Sequence, residues 1–246
     1  MAARLLSLLA LLAVWAVAAH FGGPRRFPGP LEVSAAIGKA AGSGDLFFAM
    51  GVTMVRVAAA FVLAMAAGAA IGYAMGRSSV VNALADPWIV VLLSLPALVI
   101  IVLLYIWVGL NETAAIAAVA LNKLPNATVT IREGARALDP GLDEMARVFA
   151  FPRWKRLRHV EAPQLAPYVA AAARSGLSLV WKIVLVVELL GRPNGVGFEI
   201  NMAFQLFDVA LLLAYALPFA AAMLVIEAFL VQPFERRVSR WRPRAA

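Results

Sequence analysis

Apolar residues run through this chain in blocks long enough to cross a bilayer, parted by short polar stretches. Residues 5–24, 57–76, 87–111 and 209–226 each approach the roughly 20 apolar positions that a helix needs to traverse hydrocarbon. Residues 113–131 make a fifth block, interrupted by Lys123, and residues 165–191 a sixth that carries Arg174, Lys182 and Glu188. The pattern predicts an all-α polytopic membrane protein of about six transmembrane helices. One polar, basic island, residues 132–165, separates 113–131 from 165–191, which in chain order are the fourth and fifth predicted spans.

Details inside the spans sharpen this picture. The second predicted span sets Gly68, Gly72 and Gly76 four apart, with Ala64 one step earlier, so small residues share one helical face and a neighbour can approach closely. That face serves either a sliding surface or ordinary tight packing. The third carries Pro96, which predicts a kink, and ends in Tyr105 and Trp107 at interfacial depth before Gly109. Lys123 falls near the inner end of the fourth, where a lysine can snorkel, and carries no functional weight on that reading. A charge at the bilayer centre costs about 3 kcal/mol, so Arg174, Lys182 and Glu188 of the fifth span cannot all face lipid. Eight residues turn a helix by about 80° beyond two full turns, so Arg174 and Lys182 share one broad side while Glu188 lies obliquely opposite. Either this helix lines a hydrated translocation path along Arg174, Lys182 and Glu188, or it is buried with its charges paired.

The island predicts its own local structure. Asp139-Pro140-Gly141 is a turn with Asp139 as N-cap, and Asp143 and Glu144 stand in the first turn of a helix over residues 142–149. Pro152 breaks that helix. A second amphipathic helix follows over residues 153–160, with Trp154, Leu157 and Val160 on one side, and Pro163 is expected to end it. Before the loop around residues 22–45 gives way to the second span, a short interfacial helix is expected over residues 32–41. The helix-break-helix hairpin suits two roles, docking on a partner in water or lying on anionic lipid.

Composition agrees with a membrane protein: 63% of residues are hydrophobic, 15% are charged, and the mean hydropathy is +0.85. The net charge of +8 follows the membrane, which argues against a nucleic-acid footprint. With the N-terminus inside, the inner side holds Arg4, Arg77, the basic residues of the island and the tail's Arg236, Arg237, Arg240, Arg242 and Arg244. The outer side holds only Arg25, Arg26, Lys39 and Arg192. That asymmetry places both termini and the island in the cytoplasm. The first span resembles a signal peptide, with Ala16-Val17-Ala18 as a possible cleavage site, but removing it would put the two ends on opposite sides, against the charge pattern. No cysteine is present, which excludes disulfides and thiolate metal sites.

The residues of the island carry a resemblance. Glu144-x-Ala146-Arg147, then Arg153-Trp154, then Val160-Glu161-x-Pro163 is similar to the "EAA" loop of ABC-importer permeases of the binding-protein-dependent type. Trp107-x-Gly109, Glu188-Leu189-Leu190-Gly191 and Gly195-Val196-Gly197 resemble the nitrate/sulfonate/taurine branch, and the likeness spans roughly residues 50 to 242. It implies that Glu144, Ala146, Arg147, Ala150, Arg153, Trp154 and Pro163 belong to coupling helices that dock in a cleft of an ATP-binding subunit. It implies a permease domain over residues 46–235, preceded by a first helix and external loop at 1–45 and followed by a basic tail at 236–246. The implied partners are that ATPase, a periplasmic or lipid-anchored solute-binding protein, a second permease copy and membrane lipid, in a bacterial inner membrane. No cofactor and no metal is implied. Where the family has glycine, this chain has Ala150, and an ordinary bend supplied by Pro152 is expected there.

Other functions fit less well. A gradient-driven transporter or channel would favour repeated halves and paired acids near the midplane, and the chain shows no internal repeat. An enzyme would need a nucleophile–base pair, but His20 and His159 are isolated and HExxH, GxSxG and phosphate-cradling glycine loops are absent. Without a P-loop, ATP hydrolysis is expected on a separate chain. The solute is expected to be small and anionic.

Overall fold

The computed structural model describes residues 2–23 and 26–233, so the basic tail at 236–246 lies outside it. Every regular element among the described residues is helical: α1 (Ala2–Gly22), α2 (Pro30–Gly42), α3 (Asp45–Arg77), α4 (Ser79–Ser94), α5 (Ala97–Val108), α6 (Glu112–Arg136) and α7 (Pro140–Val148). α8 (Arg153–Gly191), α9 (Val196–Gln205) and α10 (Val209–Ile226) follow, and α10 continues into a π-helical turn at Glu227–Val231. These residues fall into two compact units. One combines the chain up to Val55 with Leu185–Met223, and the other combines Arg56–Val184 with the chain from Leu224.

Four helices, Asp45–Arg77, Glu112–Arg136, Arg153–Gly191 and Val209–Phe229, are long and apolar enough to cross a membrane. A fifth candidate corrects the expectation of one kinked span over 87–111. α4 and α5 are separate helices bent by 101° at the Leu95-Pro96 break. Pro96 lacks a donor and forces the residue before it out of the helical region, and Leu95 accordingly adopts φ −77° and ψ 129°. Helix α2 begins at Pro30, not at residue 32, because the Glu32 carboxylate accepts from the Gly29 N–H at 3.0 Å and caps the turn.

In the second unit, the glycine face of α3 packs directly on α6. A Cβ at Gly68 would stand 2.7 Å from the Ala127 Cβ, and one at Gly72 would stand 2.5 Å from the Thr128 carbonyl oxygen. Only hydrogen at these positions lets the two backbones meet. Arg56 then ties α3 to the start of α6 through a bidentate pair with Glu112 at 2.5 and 3.0 Å. At the other end of α6, Arg132 pairs with Asp86 of α4.

α8 also departs from expectation. Pro163 does not end a helix; the chain runs as one 39-residue helix from Arg153 to Gly191. The reason is a π-helical turn at Leu157–Glu161, where the Ala162 N–H reaches back five residues to the Leu157 carbonyl. The wider turn shifts the hydrogen-bond ladder just ahead of Pro163, whose missing donor then breaks nothing.

Candidate functional site

The polar island folds as α7 and the first turns of α8, joined by residues 149–152. α7 starts at Pro140 because the Asp139 carboxylate accepts from the Gly141 N–H at 2.7 Å, and the Asp139 N–H donates to Gln164 Oε1 at 2.9 Å. The helix ends in a Schellman motif: the Ala150 N–H donates to the Arg147 carbonyl and the Phe151 N–H to the Ala146 carbonyl, each at 2.9 Å. That motif requires a left-handed residue, and Ala150 takes it at φ 49°. The expected ordinary bend is thus incorrect, since Pro152 only starts the next helix and Ala150 itself makes the reversal.

Ala146 faces inward at 1% exposure, whereas Glu144, Arg147, Arg153 and Pro163 are exposed. Val148, Phe149 and Trp154 project at 81%, 69% and 70% exposure. Trp154 therefore does not share a buried side with Val160, which is covered. A shallow groove of about 280 Å³ lies beside them, lined by Leu142, Met145, His159, Val160, Pro163 and Gln164.

Residues given no role by the sequence reading hold this hairpin in place. Glu161 is 1% exposed, and its carboxylate accepts from Tyr73 Oη at 2.5 Å and Arg156 Nε at 3.0 Å, with Arg77 Nη2 at 3.6 Å. The same Arg77 nitrogen meets Asp143 Oδ2 of α7 at 2.6 Å. The end of α3 is thus tied by ion pairs to both arms of the hairpin. The only signal in sequence was an acid followed by x-Pro; that it would meet Tyr73 and Arg77, far away in the chain, is a tertiary fact.

The three charges expected along a path separate. In the second unit, Arg174 and Lys182 are exposed on α8, with the Lys182 ammonium 5.6 Å from the centre of the Trp181 ring. Glu188, in the first unit, is fully buried. Its Oε2 accepts from Thr53 Oγ1 at 2.9 Å and from the Gly197 N–H at 2.8 Å, at the start of α9. Gly195, at φ 107°, has no side chain to obstruct it; a Cβ there would stand 2.5 Å from the carboxylate carbon. Glu188 anchors this turn. Lys123 is also placed differently from expectation: it is 1% exposed and does not snorkel, because α8 covers it at Gly176.

Comparison with known proteins bears on the whole chain. A family model described as "Binding-protein-dependent transport system inner membrane component" matches residues 60–240. A putative aliphatic sulfonates transport permease of Bacillus subtilis is 28% identical over 234 residues, covering 94% of this chain and 84% of the relative. The taurine transport system permease of Escherichia coli is 26% identical, covering 96% and 88%. The bicarbonate transport system permease of Synechococcus elongatus is 24% identical, covering 92% and 85%. Among solved structures, an amino acid ABC transporter chain superposes with a TM-score of 0.63 at 23% identity, over 81% of this chain and 97% of that one.

Proposed function

The chain belongs to the family of binding-protein-dependent transport system inner membrane components, and from that membership we propose that it passes a small anion across the bacterial inner membrane. It is a multi-pass membrane protein and a transport subunit, not an enzyme; ATP hydrolysis belongs to a separate ATPase, and a solute-binding protein delivers the cargo. The hairpin of α7 and early α8 is the docking element for that ATPase. What carries this reading is the exposed ridge of Val148, Phe149 and Trp154 beside Glu144, Arg147 and Arg153, on a support tied by Arg77 and Glu161 to α3. Apolar side chains flanked by charge, on a rigid polar hairpin, fit a protein cleft, with the charges setting register.

Sulfonates, taurine and bicarbonate, named for the relatives, each present an oxyanion, which supports a small anionic solute. Arg174 and Lys182 on α8 supply positive field along its path. Counting α1 and the bent α4–α5 pair gives six spans, with both termini and the hairpin on the cytoplasmic side by the distribution of arginine and lysine. Surrounding lipid and a second copy of the chain cover the apolar faces.

The test is purification of the complex with its ATPase and binding protein. Glu144→Lys leaves the chain in the membrane but prevents stable association with the ATPase, because a reversed charge on the exposed side of α7, just past its first turn, opposes any basic partner. Wild-type recovery of the ATPase with this variant would remove the docking role. In the same preparation reconstituted into vesicles, Lys182→Met keeps assembly but lowers anion uptake; undiminished uptake would exclude Lys182 from the path.

A further inference from the structure

Lys123 is a buried charged residue whose placement the docking and anchoring networks leave unexplained. It sits in the interior of α6 at 1% exposure, and its Nζ has no hydrogen-bond partner among the described residues. The other buried charges among the described residues of this unit are paired: Arg56 with Glu112, Asp143 with Arg77, and Glu161 with Tyr73, Arg77 and Arg156. A cation removed from water without a counter-charge is strongly unfavourable, so burial here leaves Lys123 with an unmet demand for an anionic partner. The surroundings are shaped to admit it. A Cβ on Gly176 of α8 would stand 3.1 Å from Nζ and overlap Cε, so glycine is what leaves the ammonium its place.

We infer that Lys123 is the fixed positive charge of a site for the transported anion, with the Gly176 backbone closing it in the conformation described here. This deepens the reading of the chain as a permease for a small anion and rests on it. An oxyanion entering the membrane loses its hydration and needs a cation in its place. An ammonium with no internal partner has its full attraction available for that visitor, whereas a paired one would not. Arg174 and Lys182, being exposed, attract an anion from a distance; Lys123 holds it after desolvation. Access requires α6 and α8 to part at Gly176, a relative helix motion of the kind that alternating access supplies.

The experiment uses the full complex in vesicles, with uptake of labelled taurine, ethanesulfonate and bicarbonate, and thermal melting of the purified chain. Lys123→Met and Lys123→Gln remove the charge at similar volume; Gly176→Ala keeps the charge but displaces it. The expected result is that all three assemble, that Lys123→Met melts above wild type because an unpaired buried charge is gone, and that uptake falls at least tenfold in each. Wild-type uptake by Lys123→Met or by Gly176→Ala overturns the site. So does a Lys123→Met chain that melts lower or does not assemble, which would show a structural need instead. A wild-type complex that imports none of the three anions sinks the anion reading together with the site, whereas one that imports them alongside an equally active Lys123→Met sinks the site alone.

Discussion

Ala150 holds a backbone conformation that costs an L-residue roughly 1–2 kcal/mol, and two Schellman hydrogen bonds together with the inward placement of Ala146 offset it. Phe207 does the same after α9, at φ 54°, with its N–H donating to the Phe204 carbonyl and the Asp208 N–H to the Ala203 carbonyl. Both reversals are thus made by hydrogen-bond geometry against residue preference. Ala150→Gly is expected to raise stability by up to about 1 kcal/mol, the steric relief exceeding the extra unfolded-state entropy of glycine. Ala150→Val should lower it, since a β-branched side chain tolerates positive φ worst. Thermal unfolding of the detergent-solubilised chain reads both, and a glycine variant that melts lower than wild type would contradict the strain at this position.

At the scale of elements, helix ends and helix faces are fixed by different means. α3 and α6 meet through Gly68 and Gly72, where missing side chains set the distance. The hairpin is held to α3 by charge: Arg77 bridges Asp143 and Glu161, and Tyr73 and Arg156 complete the carboxylate's shell. Removing the carboxylate leaves two partly buried arginines facing each other, and loss of one partner of a buried pair costs about 3 kcal/mol or more. Glu161→Ala should therefore destabilise the chain by that order and speed amide exchange through Pro140–Val148, while Tyr73→Phe should cost only about 1 kcal/mol. Unchanged exchange in α7 after Glu161→Ala would mean that the hairpin is held by something else.

At the scale of the molecule, one chain carries one hairpin among the described residues, and an importer that closes two ATPase subunits on shared nucleotide needs two. The proposed symmetric pair of permease chains would supply them, with the same patch used on both sides. Native mass measurement of the complex in nanodiscs should give two copies of this chain for two ATPase subunits. One membrane chain per ATPase pair, or a second, different permease, would defeat the homodimer.

The sequence by itself determined what depends on local pattern and on solvent. Long apolar blocks require backbone hydrogen bonds to close within each segment, so the helical membrane fold, the polar hairpin and the Asp139 cap were all legible from composition and spacing. So was the small-residue face of α3, though not which helix it would meet. Tertiary structure alone decided the rest. The π turn that carries α8 through Pro163, the 101° break at Pro96 and the left-handed Ala150 are outcomes of competing hydrogen bonds that single residues do not rank. Glu188, Lys123 and Glu161 looked alike as charges near or within spans, yet they became an anchor for a glycine turn, an unpartnered ammonium and the centre of an ion-pair network. A charge takes its meaning from what lies within a few ångströms of it, and those neighbours come from distant parts of the chain.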